Sequence, residues 1–452
     1  MKTLSRALKC FSVIFSVLLF VVIVVFLGCK TRTNQPLVLA ENDVWKTLTA
    51  AIIEDGFSPP VAARIYAYSY LAQYEALALG DSNFNSYRDQ LNDFERFFPL
   101  LSKVDYQLYN PQIGALAAFM FTGEALVYRG FIIDDYRKVW LDLVEQGGVQ
   151  KASLNYSIEI GKVVADSILS YAQTDFYRET RNMPLYDIPK QWGSWEPTPP
   201  VYGTAIEPHW PLIRPFVLQN ISTLETNFNL AFDTSANSQF YSEAMVVYDA
   251  VNKLTPERKR QAEYWDCNPR ETIASGHMMA LIKQMNPGGH WLAIGQTVME
   301  DVKMPLGERI QVNAVVALAI HDAVIVCWNE KYKTSLIRPE TYINKYIDPA
   351  WRPILETPLF PEFTSGHSVI SATAATILTE LVGDSIAYTD SVNYFLGLPP
   401  RSFESFLAAS QEAAMSRMLG GIHYMPAITL GIKQGEQVAD SLLLKLVKSP
   451  NK

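Results

Sequence analysis

The sequence predicts an all-α protein, and three observations favour that fold class. Apolar residues recur at helical spacings along most of the chain, as on the buried face of a helix. Convincing runs of alternating apolar and polar residues, which are typical of strands, do not occur. The chain has 452 residues, of which 49% are hydrophobic, so it can bury a core large enough for roughly two domains.

The first 28 residues carry the features of an export signal. A basic start leads into an apolar run from Cys10 to Gly28, and a polar stretch follows Cys29. The segment from Phe26 to Cys29 resembles a bacterial lipobox, which predicts lipidation of Cys29. The apolar run is also long enough to span a membrane, so an uncleaved anchor is the alternative. Both interpretations predict an exported, membrane-anchored protein of the bacterial periplasm or outer surface.

Helical periodicity continues on both sides of one interruption. It predicts helices over residues 61–79, 112–127, 152–172, 239–251, 256–265, 309–330, 367–382, 403–419 and 427–447. Residues 182–222 are instead rich in proline and tryptophan, and proline at that density cannot continue a helix. We therefore predict an N-terminal helical domain over residues 29–181, an ordered connector over 182–222 and a C-terminal helical domain over 223–452.

Net charge limits the expected binding partners, and cysteine content limits the possible disulfides. The formal net charge is -8, so nucleic acid is not expected as a partner. Beyond the N-terminal region the only cysteines are Cys267 and Cys327. Export permits a disulfide between them, and two buried thiols explain the same count.

The first candidate site residues lie at the end of the predicted helix 309–330. Six residues separate Lys331 from Arg338. Lysine offers a compact charge and arginine a planar fork, so the two can hold different faces of one oxyanion. A solvated pair of charges at a helix end explains the same spacing. The pair therefore indicates an oxyanion site only in combination with the next two blocks.

The second block is Ser365-Gly366-His367, which precedes an alanine-rich helix. Thr364 or Ser365 can cap that helix, and the free amides of its first turn attract an anion. Gly366 lets the backbone approach closely, which brings His367 beside the anion. The alternative is a capped helix with an ordinary histidine, since residues 275–277 have the same three letters without cationic residues upstream.

The third block lies where the predicted helix 403–419 ends. Arg417 closes the helix, two glycines turn the chain, and five residues separate Arg417 from His423. The arginine can neutralise oxygens of an oxyanion while the imidazole approaches its central atom. A helix C-cap with an incidental histidine is the alternative.

The order and short spacings of these blocks resemble the signature of the vanadium-dependent haloperoxidases and type 2 phosphatidic acid phosphatases. The match covers residues 309–434, and it implies a helical-bundle catalytic domain in an exported bacterial enzyme. It implies that His423 is the vanadium ligand and His367 the acid–base residue. It also implies which residues hold the non-bridging oxygens of vanadate or phosphate, namely Lys331, Arg338, Ser365, Gly366 and Arg417.

Three functions remain open from the sequence. The resemblance favours oxidation of a halide by hydrogen peroxide with vanadate as cofactor, in which His367 delivers a proton. The second function is an exported acid phosphatase, in which His423 attacks a phosphomonoester and His367 protonates the leaving alcohol. The third is a lipoprotein that binds phosphate or vanadate without catalysis.

Three further residues are candidates for a halide or substrate pocket. Trp328 and Phe360 stand at positions similar to the aromatic pair that borders the halide site in chloroperoxidases, and aromatic edges suit a weakly hydrated halide. His290, in a turn predicted over residues 286–291, can reach over the pocket. Core packing of the aromatic residues and a purely structural turn are the alternatives.

Two residues depart from the family pattern. Thr364 replaces the usual proline, and Ala427 stands where the family often has an aspartate, four residues after His423. That carboxylate orients the imidazole, so His423 must find another acceptor, and the change puts turnover in doubt. Asp322, beside His321, is predicted to pair with a site cation or simply with its neighbour.

Overall fold

The structure, a computed structural model, describes residues 35–98, 104–224, 226, 228–267, 270–273, 279–282 and 284–448. The export signal with Cys29 lies outside these residues, as does His277 of the other Ser-Gly-His sequence. The lipidation prediction therefore stays a prediction. The site residues of the three blocks all fall within the described part.

The described residues confirm the all-α fold class. They form 14 α-helices, numbered in chain order: Gln35–Asp55 (α1), Pro59–Gly80 (α2), Pro111–Leu126 (α3), Phe131–Gln146 (α4), Lys151–Ala172 (α5), Tyr177–Thr180 (α6), Gln239–Asn252 (α7), Pro256–Tyr264 (α8), Pro287–Asp301 (α9), Leu306–Thr334 (α10), Pro339–Tyr346 (α11), Gly366–Leu381 (α12), Phe406–Leu419 (α13) and Met425–Leu443 (α14). Two short antiparallel hairpins accompany them: Arg270–Ile273 (β1) with Met279–Ile282 (β2), and Tyr388–Asp390 (β3) with Arg401–Phe403 (β4).

Helix α9 corrects one prediction. The turn predicted over residues 286–291 is the beginning of this helix. Asn286 is the N-cap and accepts a hydrogen bond from the Gly289 amide at 2.9 Å, while Pro287 occupies the first turn, where its missing amide does no harm. The residues that indicated a turn therefore start a helix. His290 lies inside α9 and is fully buried.

The remaining predicted helices agree with the structure to within a few residues. Helix α13 begins at Phe406 rather than at residue 403, because the preceding segment forms strand β4. Ser405 then caps the helix by accepting a hydrogen bond from the Ala408 amide at 3.1 Å. Helices α1, α4, α6 and α11 have no predicted counterpart.

Helix α10 is the central element that carries the first site residues. Most of it is buried, and it packs against α2 and α12. Among the described helices it alone is long and apolar enough to cross a membrane, yet 94% of its most apolar window is buried within the protein. It is therefore a core helix. One hydrophobic cluster extends from Val44 to Leu446, and the predicted domain boundaries stay a prediction.

The proline-rich segment packs against the elements that bear the site. The Trp195 amide donates to the Ser335 carbonyl at 2.6 Å, and the Ile206 amide donates to the Leu359 carbonyl at 2.9 Å. The Trp328 indole in turn donates to the Ile206 carbonyl at 3.3 Å. These bonds fix the ends of the segments that position Arg338 and Phe360.

Close contact between α12 and α14 predicts a large effect of a small substitution. A Cβ atom at Gly435 would lie 2.3 Å from the Val369 carbonyl oxygen and 2.9 Å from Ala372 Cβ. We expect Gly435→Ala to force the helices apart and to lower the free energy of unfolding by about 1–3 kcal/mol. Thermal denaturation of this variant, beside the exposed control Gln437→Ala, measures the effect. Equal stability of both variants would contradict the close packing described here.

Candidate active site

The three sequence blocks meet at one buried site. His367 and His423 line a small cavity together with Trp328, Phe360 and Gly366. The end of α10, the start of α12 and the turn between α13 and α14 supply most of these residues. The other predicted oxyanion-binding residues are all fully buried at the same place: Lys331, Arg338, Ser365 and Arg417. The sequence therefore predicted residues that the fold brings together.

His423 is held at both ring nitrogens. Its Nδ1 lies 2.8 Å from Glu362 Oε1, and its Nε2 lies 3.1 Å from Arg338 Nη1. An ionised carboxylate can only accept, so Nδ1 carries the proton and Nε2 accepts from the guanidinium. Burial and the charges of Arg338 and Lys331 keep the pKa of His423 well below its usual range. The imidazole is therefore neutral, with the Nε2 lone pair directed to the cationic side of the site.

Glu362 is the functional residue that the sequence analysis missed. Its Oε1 accepts from His423 Nδ1 and also from the Tyr424 amide at 3.0 Å. Ala427 offers no carboxylate, so Glu362 takes the orienting role that the family often gives to an aspartate at that position. Burial raises the pKa of Glu362 to about 7, against the lowering influence of Arg338 and Lys331. An acidic residue inside the apolar Phe360–Phe363 segment is the signal that could have found it.

His367 presents an open nitrogen to the cavity. Its Nε2 is buried and has no hydrogen-bond partner among the described residues. Burial is the main cause that holds the pKa of His367 well below its usual range, and the charges of Arg417 and His290 add to it, whereas the Trp265 backbone opposes it. His367 is therefore a neutral imidazole. It is available to take a proton from a guest and to return it.

Lys331 is bonded to the segment before α12. Its Nζ donates to the carbonyls of Pro361 and Glu362, both at 3.1 Å, and to that of Thr364. The ammonium also lies 5.0 Å from the Phe360 ring centroid. Burial, with the charge of Arg338, lowers the pKa of Lys331 to about 7. The lysine acts on the site through its charge and through this segment of backbone.

Ser365 is the N-cap of α12, so one of the two proposed capping residues is confirmed. Its Oγ accepts from the Ser368 amide at 3.4 Å and from the Ser368 hydroxyl at 2.8 Å. Thr364 does not cap the helix; its hydroxyl donates to Gln434 Oε1 at 2.8 Å. Gly366 is the first helical residue, and its amide belongs to the electropositive end of the helix.

The two arginines approach the histidines from different elements. Arg338 Nε donates to the Phe360 carbonyl at 2.9 Å, and its Nη1 donates to the Ile422 carbonyl at 2.8 Å. Arg417 Nε donates to the Ser416 hydroxyl at 3.0 Å. These bonds hold both guanidinium groups in fixed orientations within the protein interior.

The aromatic pair lines the cavity as predicted, whereas His290 does not. The rings of Trp328 and Phe360 lie 5.1 Å apart and form one wall. His290 is buried inside α9, with Nε2 2.7 Å from Asp390 and its ring stacked on Trp265 at 4.9 Å. Burial lowers the pKa of His290, but Asp390 outweighs it and raises the pKa to about 10. His290 therefore lies behind His367 as a buried cation and does not face the pocket.

His209, His321, Cys267 and Cys327 do not line the cavity. Asp322 accepts from the amides of residues 216–218 at 2.7–3.1 Å and lies 3.3 Å from His321 Nδ1, so its proposed pairing with a site cation is wrong and the pairing with its neighbour is confirmed. His209 Nε2 lies 2.7 Å from a connector carbonyl. Cys267 and Cys327 are free, buried thiols, which decides against the disulfide.

The site fits an oxyanion guest. Arg338 Nη2 and His367 Nε2 are buried without a partner in the described part of the protein. Both are polar nitrogens that a guest's oxygens can satisfy. A Cβ atom built on Gly366 would meet Trp328 at no less than 3.7 Å, so protein packing does not require glycine there. The free space at Gly366 is instead part of the cavity wall. The site contains the buried cationic side chains of Lys331, Arg338 and Arg417 and the carboxylate of Glu362. This balance of charge favours an anionic guest over a neutral one.

Fold and site together define a helical-bundle enzyme of the class that holds a tetrahedral oxyanion between helix ends. Residues 311–451 match the family model of the VCPO second helical-bundle domain. The chain is similar to the solved structure of a bacterial vanadium-dependent iodoperoxidase, with 37% identity, a TM-score of 0.84 and coverage of 92% of this chain and 98% of that one. This chain belongs to the vanadium-dependent haloperoxidase family.

More distant structures share the fold. The holo form of a bacterial vanadium-dependent chloroperoxidase has 15% identity and a TM-score of 0.65, with coverage of 87% of this chain and 95% of that one. Its apo form has 14% identity, the same TM-score of 0.65 and the same coverage of 87% and 95%. At these identities the likeness concerns the fold alone. No curated protein matches the chain.

The buried charges predict that anion affinity falls as pH rises above about 7. Lys331 has a pKa of about 7, so it is charged below that pH and loses its proton above it. A bound anion favours the protonated lysine, so binding at higher pH takes up a proton and weakens by up to about tenfold per pH unit. Glu362, also with a pKa of about 7, acts in the same direction because its ionised form repels an anion.

Calorimetric titration with sulfate at a series of pH values measures this dependence, because the charge of sulfate does not change in the range used. Lys331→Met should bind more weakly and keep only the part of the slope that Glu362 causes. Affinity that is independent of pH, or that rises with pH, would contradict the assignment of these charges.

Proposed function

We propose that this protein oxidises a halide with hydrogen peroxide and uses vanadate as its cofactor. The observation that carries the proposal is the state of His423, a neutral imidazole whose Nδ1 is held by Glu362 and whose Nε2 lone pair points among buried cations. This is the nitrogen that a metal oxyanion requires as a ligand. When bound, vanadate supplies a Lewis-acid centre at which hydrogen peroxide becomes electrophilic toward a halide.

The residues of the chain bind, orient and move protons. Arg338, Arg417 and Lys331 would hold the oxyanion by neutralising its charge, and Ser365 and the Gly366 amide would donate hydrogen bonds to it. His367 accepts a proton from incoming hydrogen peroxide at its open Nε2 and gives it to the departing oxygen. The balance is one halide, one hydrogen peroxide and one proton for one hypohalous acid and one water. Trp328 and Phe360 exclude water from the approach of the halide.

We propose iodide as the preferred halide. Iodide is the halide named for the bacterial enzyme with which this chain shares 37% identity. The aromatic wall of Trp328 and Phe360 offers apolar contact to a large, weakly hydrated anion. A strongly hydrated chloride gains less from such a wall.

The test compares activities on one purified sample. Protein soaked in vanadate should form triiodide from iodide and hydrogen peroxide, bromide should react more slowly, and excess phosphate should compete with vanadate.

The second candidate, an acid phosphatase, is favoured by the same Glu362–His423 pair, because an oriented neutral imidazole is also a nucleophile. Hydrolysis of p-nitrophenyl phosphate without vanadate-dependent triiodide formation would reject the peroxidase in favour of this alternative.

The non-catalytic binder loses its main support. That hypothesis rested on Ala427, which leaves His423 without the usual aspartate, and Glu362 supplies the carboxylate instead.

We further propose that the protein is exported and membrane-anchored, on the basis of the apolar Cys10–Gly28 run followed by Cys29. Loss of membrane association in Cys29→Ser would support lipidation over an uncleaved helix.

A further inference from the structure

An open groove lies beside the catalytic cavity. It has a volume of about 520 Å³, and three of its lining residues, Pro59, Pro358 and Phe360, also line the cavity that contains His367 and His423. The two spaces are therefore neighbours across a shared wall.

The groove contains an exposed phenol at its rim. Tyr128 lines the groove and has 81% of its surface exposed. One side of its ring packs against Phe57, with centroids 5.1 Å apart, and its backbone amide donates to Asp55 Oδ2 at 2.7 Å. These contacts hold the residue in place while the rest of the ring stays open to the groove. A phenol is the protein side chain whose ring carbons react most readily with electrophilic halogen.

A second tyrosine in the groove is shielded. The ring of Tyr177 has the guanidinium groups of Arg64 and Arg181 at 4.4 and 4.6 Å from its centroid. These cations cover the ring and oppose the positive charge that develops on it during electrophilic attack. Burial also raises the pKa of Tyr177, which disfavours the reactive phenolate. The groove therefore offers one accessible phenol and one protected phenol.

We propose that Tyr128 is a self-modification site, halogenated by hypoiodous acid that this protein releases into the groove. The inference rests on the proposed function. A ring carbon ortho to the hydroxyl bonds to iodine, the iodine–oxygen bond breaks, and the departing hydroxide takes the ring proton. One hypoiodous acid and one tyrosine thus give one iodotyrosine and one water, with no further oxidant.

Exposure alone does not select Tyr128. Tyr106, Tyr202 and Tyr394 are 67%, 64% and 69% exposed, and none of them lines the groove. Hypoiodous acid that is mixed into the solvent should therefore label these three tyrosines as well as Tyr128. Hypoiodous acid that leaves through the groove should meet Tyr128 first, at a local concentration well above that in solution.

The experiment compares the two sources of the oxidant. Full-length protein loaded with vanadate receives iodide and limiting hydrogen peroxide, with thiosulfate in the solvent to remove escaped oxidant. Triiodide formation is followed in parallel without thiosulfate, and iodotyrosine is located by peptide mass spectrometry. The matched control adds a preformed iodine solution to the same protein without peroxide. Tyr128→Phe serves as the variant that removes the activating hydroxyl but keeps the ring and its packing.

We expect roughly tenfold or more label at Tyr128 than at Tyr106, Tyr202 and Tyr394 during turnover, and similar label at all four with preformed iodine. Tyr177 should remain unlabelled in both. Tyr128→Phe should lose the label and keep the rate of triiodide formation. Triiodide formation with equal label at these four exposed tyrosines overturns this inference alone. Absence of both triiodide and label overturns the proposed function and the inference with it.

Discussion

Replacement of His423 by alanine is expected to abolish vanadate-dependent halide oxidation, with the rate falling roughly a thousandfold or more. His423 Nε2 is oriented by Glu362, which holds Nδ1, and by Arg338 Nη1 at 3.1 Å. Removing it leaves the oxyanion without its proposed protein ligand. Steady-state assays of triiodide formation and titration of bound vanadate measure the loss.

In His423→Ala, the loss of the vanadium ligand must be distinguished from a loss of folding stability. His423→Ala also removes a partner of the buried Glu362 carboxylate, which carries a stability cost of its own. Partial recovery of activity by added imidazole would assign the defect to the missing ligand. His209→Ala, which changes a histidine of the connector, is the matched control and should keep full activity. Full activity in His423→Ala would contradict the proposed role of His423 as the vanadium ligand.

Loss of the Glu362 carboxylate is expected to lower vanadate affinity by about 10–100-fold, the usual effect of removing a group that orients a metal-binding histidine. Glu362→Ala removes both the charge and the acceptor for His423 Nδ1. Glu362→Gln keeps an acceptor oxygen, so we expect an intermediate affinity. The measurement is calorimetric or spectroscopic titration with vanadate.

Two further variants make this prediction specific. Ala427 occupies the position where the family often has the orienting aspartate, so Glu362→Ala combined with Ala427→Asp should recover part of the affinity. Glu340→Gln changes another buried carboxylate, which accepts from Thr357 away from the cavity, and should alter stability but not vanadate affinity. Equal affinities in Glu362→Ala and the unmodified protein would show that Glu362 does not orient the ligand.

The motifs were predictable because each is short. The spacing of Lys331 and Arg338 across a helix end, of Ser365 and His367 at a helix start, and of residues 417–423 across a turn fixes local geometry. Their meeting at one cavity is set by the packing of α10, α12, α13 and α14, which local spacing does not encode. The resemblance to a family supplied that tertiary information in advance.

The missed features depend on contacts between distant residues or on ambiguous local signals. Glu362 lies 61 positions from His423, so no periodicity links them, and the family pattern directed attention to Ala427 instead. The Asn286-Pro287 sequence is common both in turns and at helix starts, and only the buried face of α9 decides between them. His290 was placed wrongly for the same reason.

The three carbonyls around the Lys331 ammonium have a consequence for loading the cofactor. Pro361, Glu362 and Thr364 enclose this cation, so contacts within the protein itself shape the segment that leads to Ser365. Little of this segment has to be ordered on association, and little binding free energy is lost as conformational entropy. The enzyme can therefore exchange its inorganic guest while the surrounding backbone keeps one conformation.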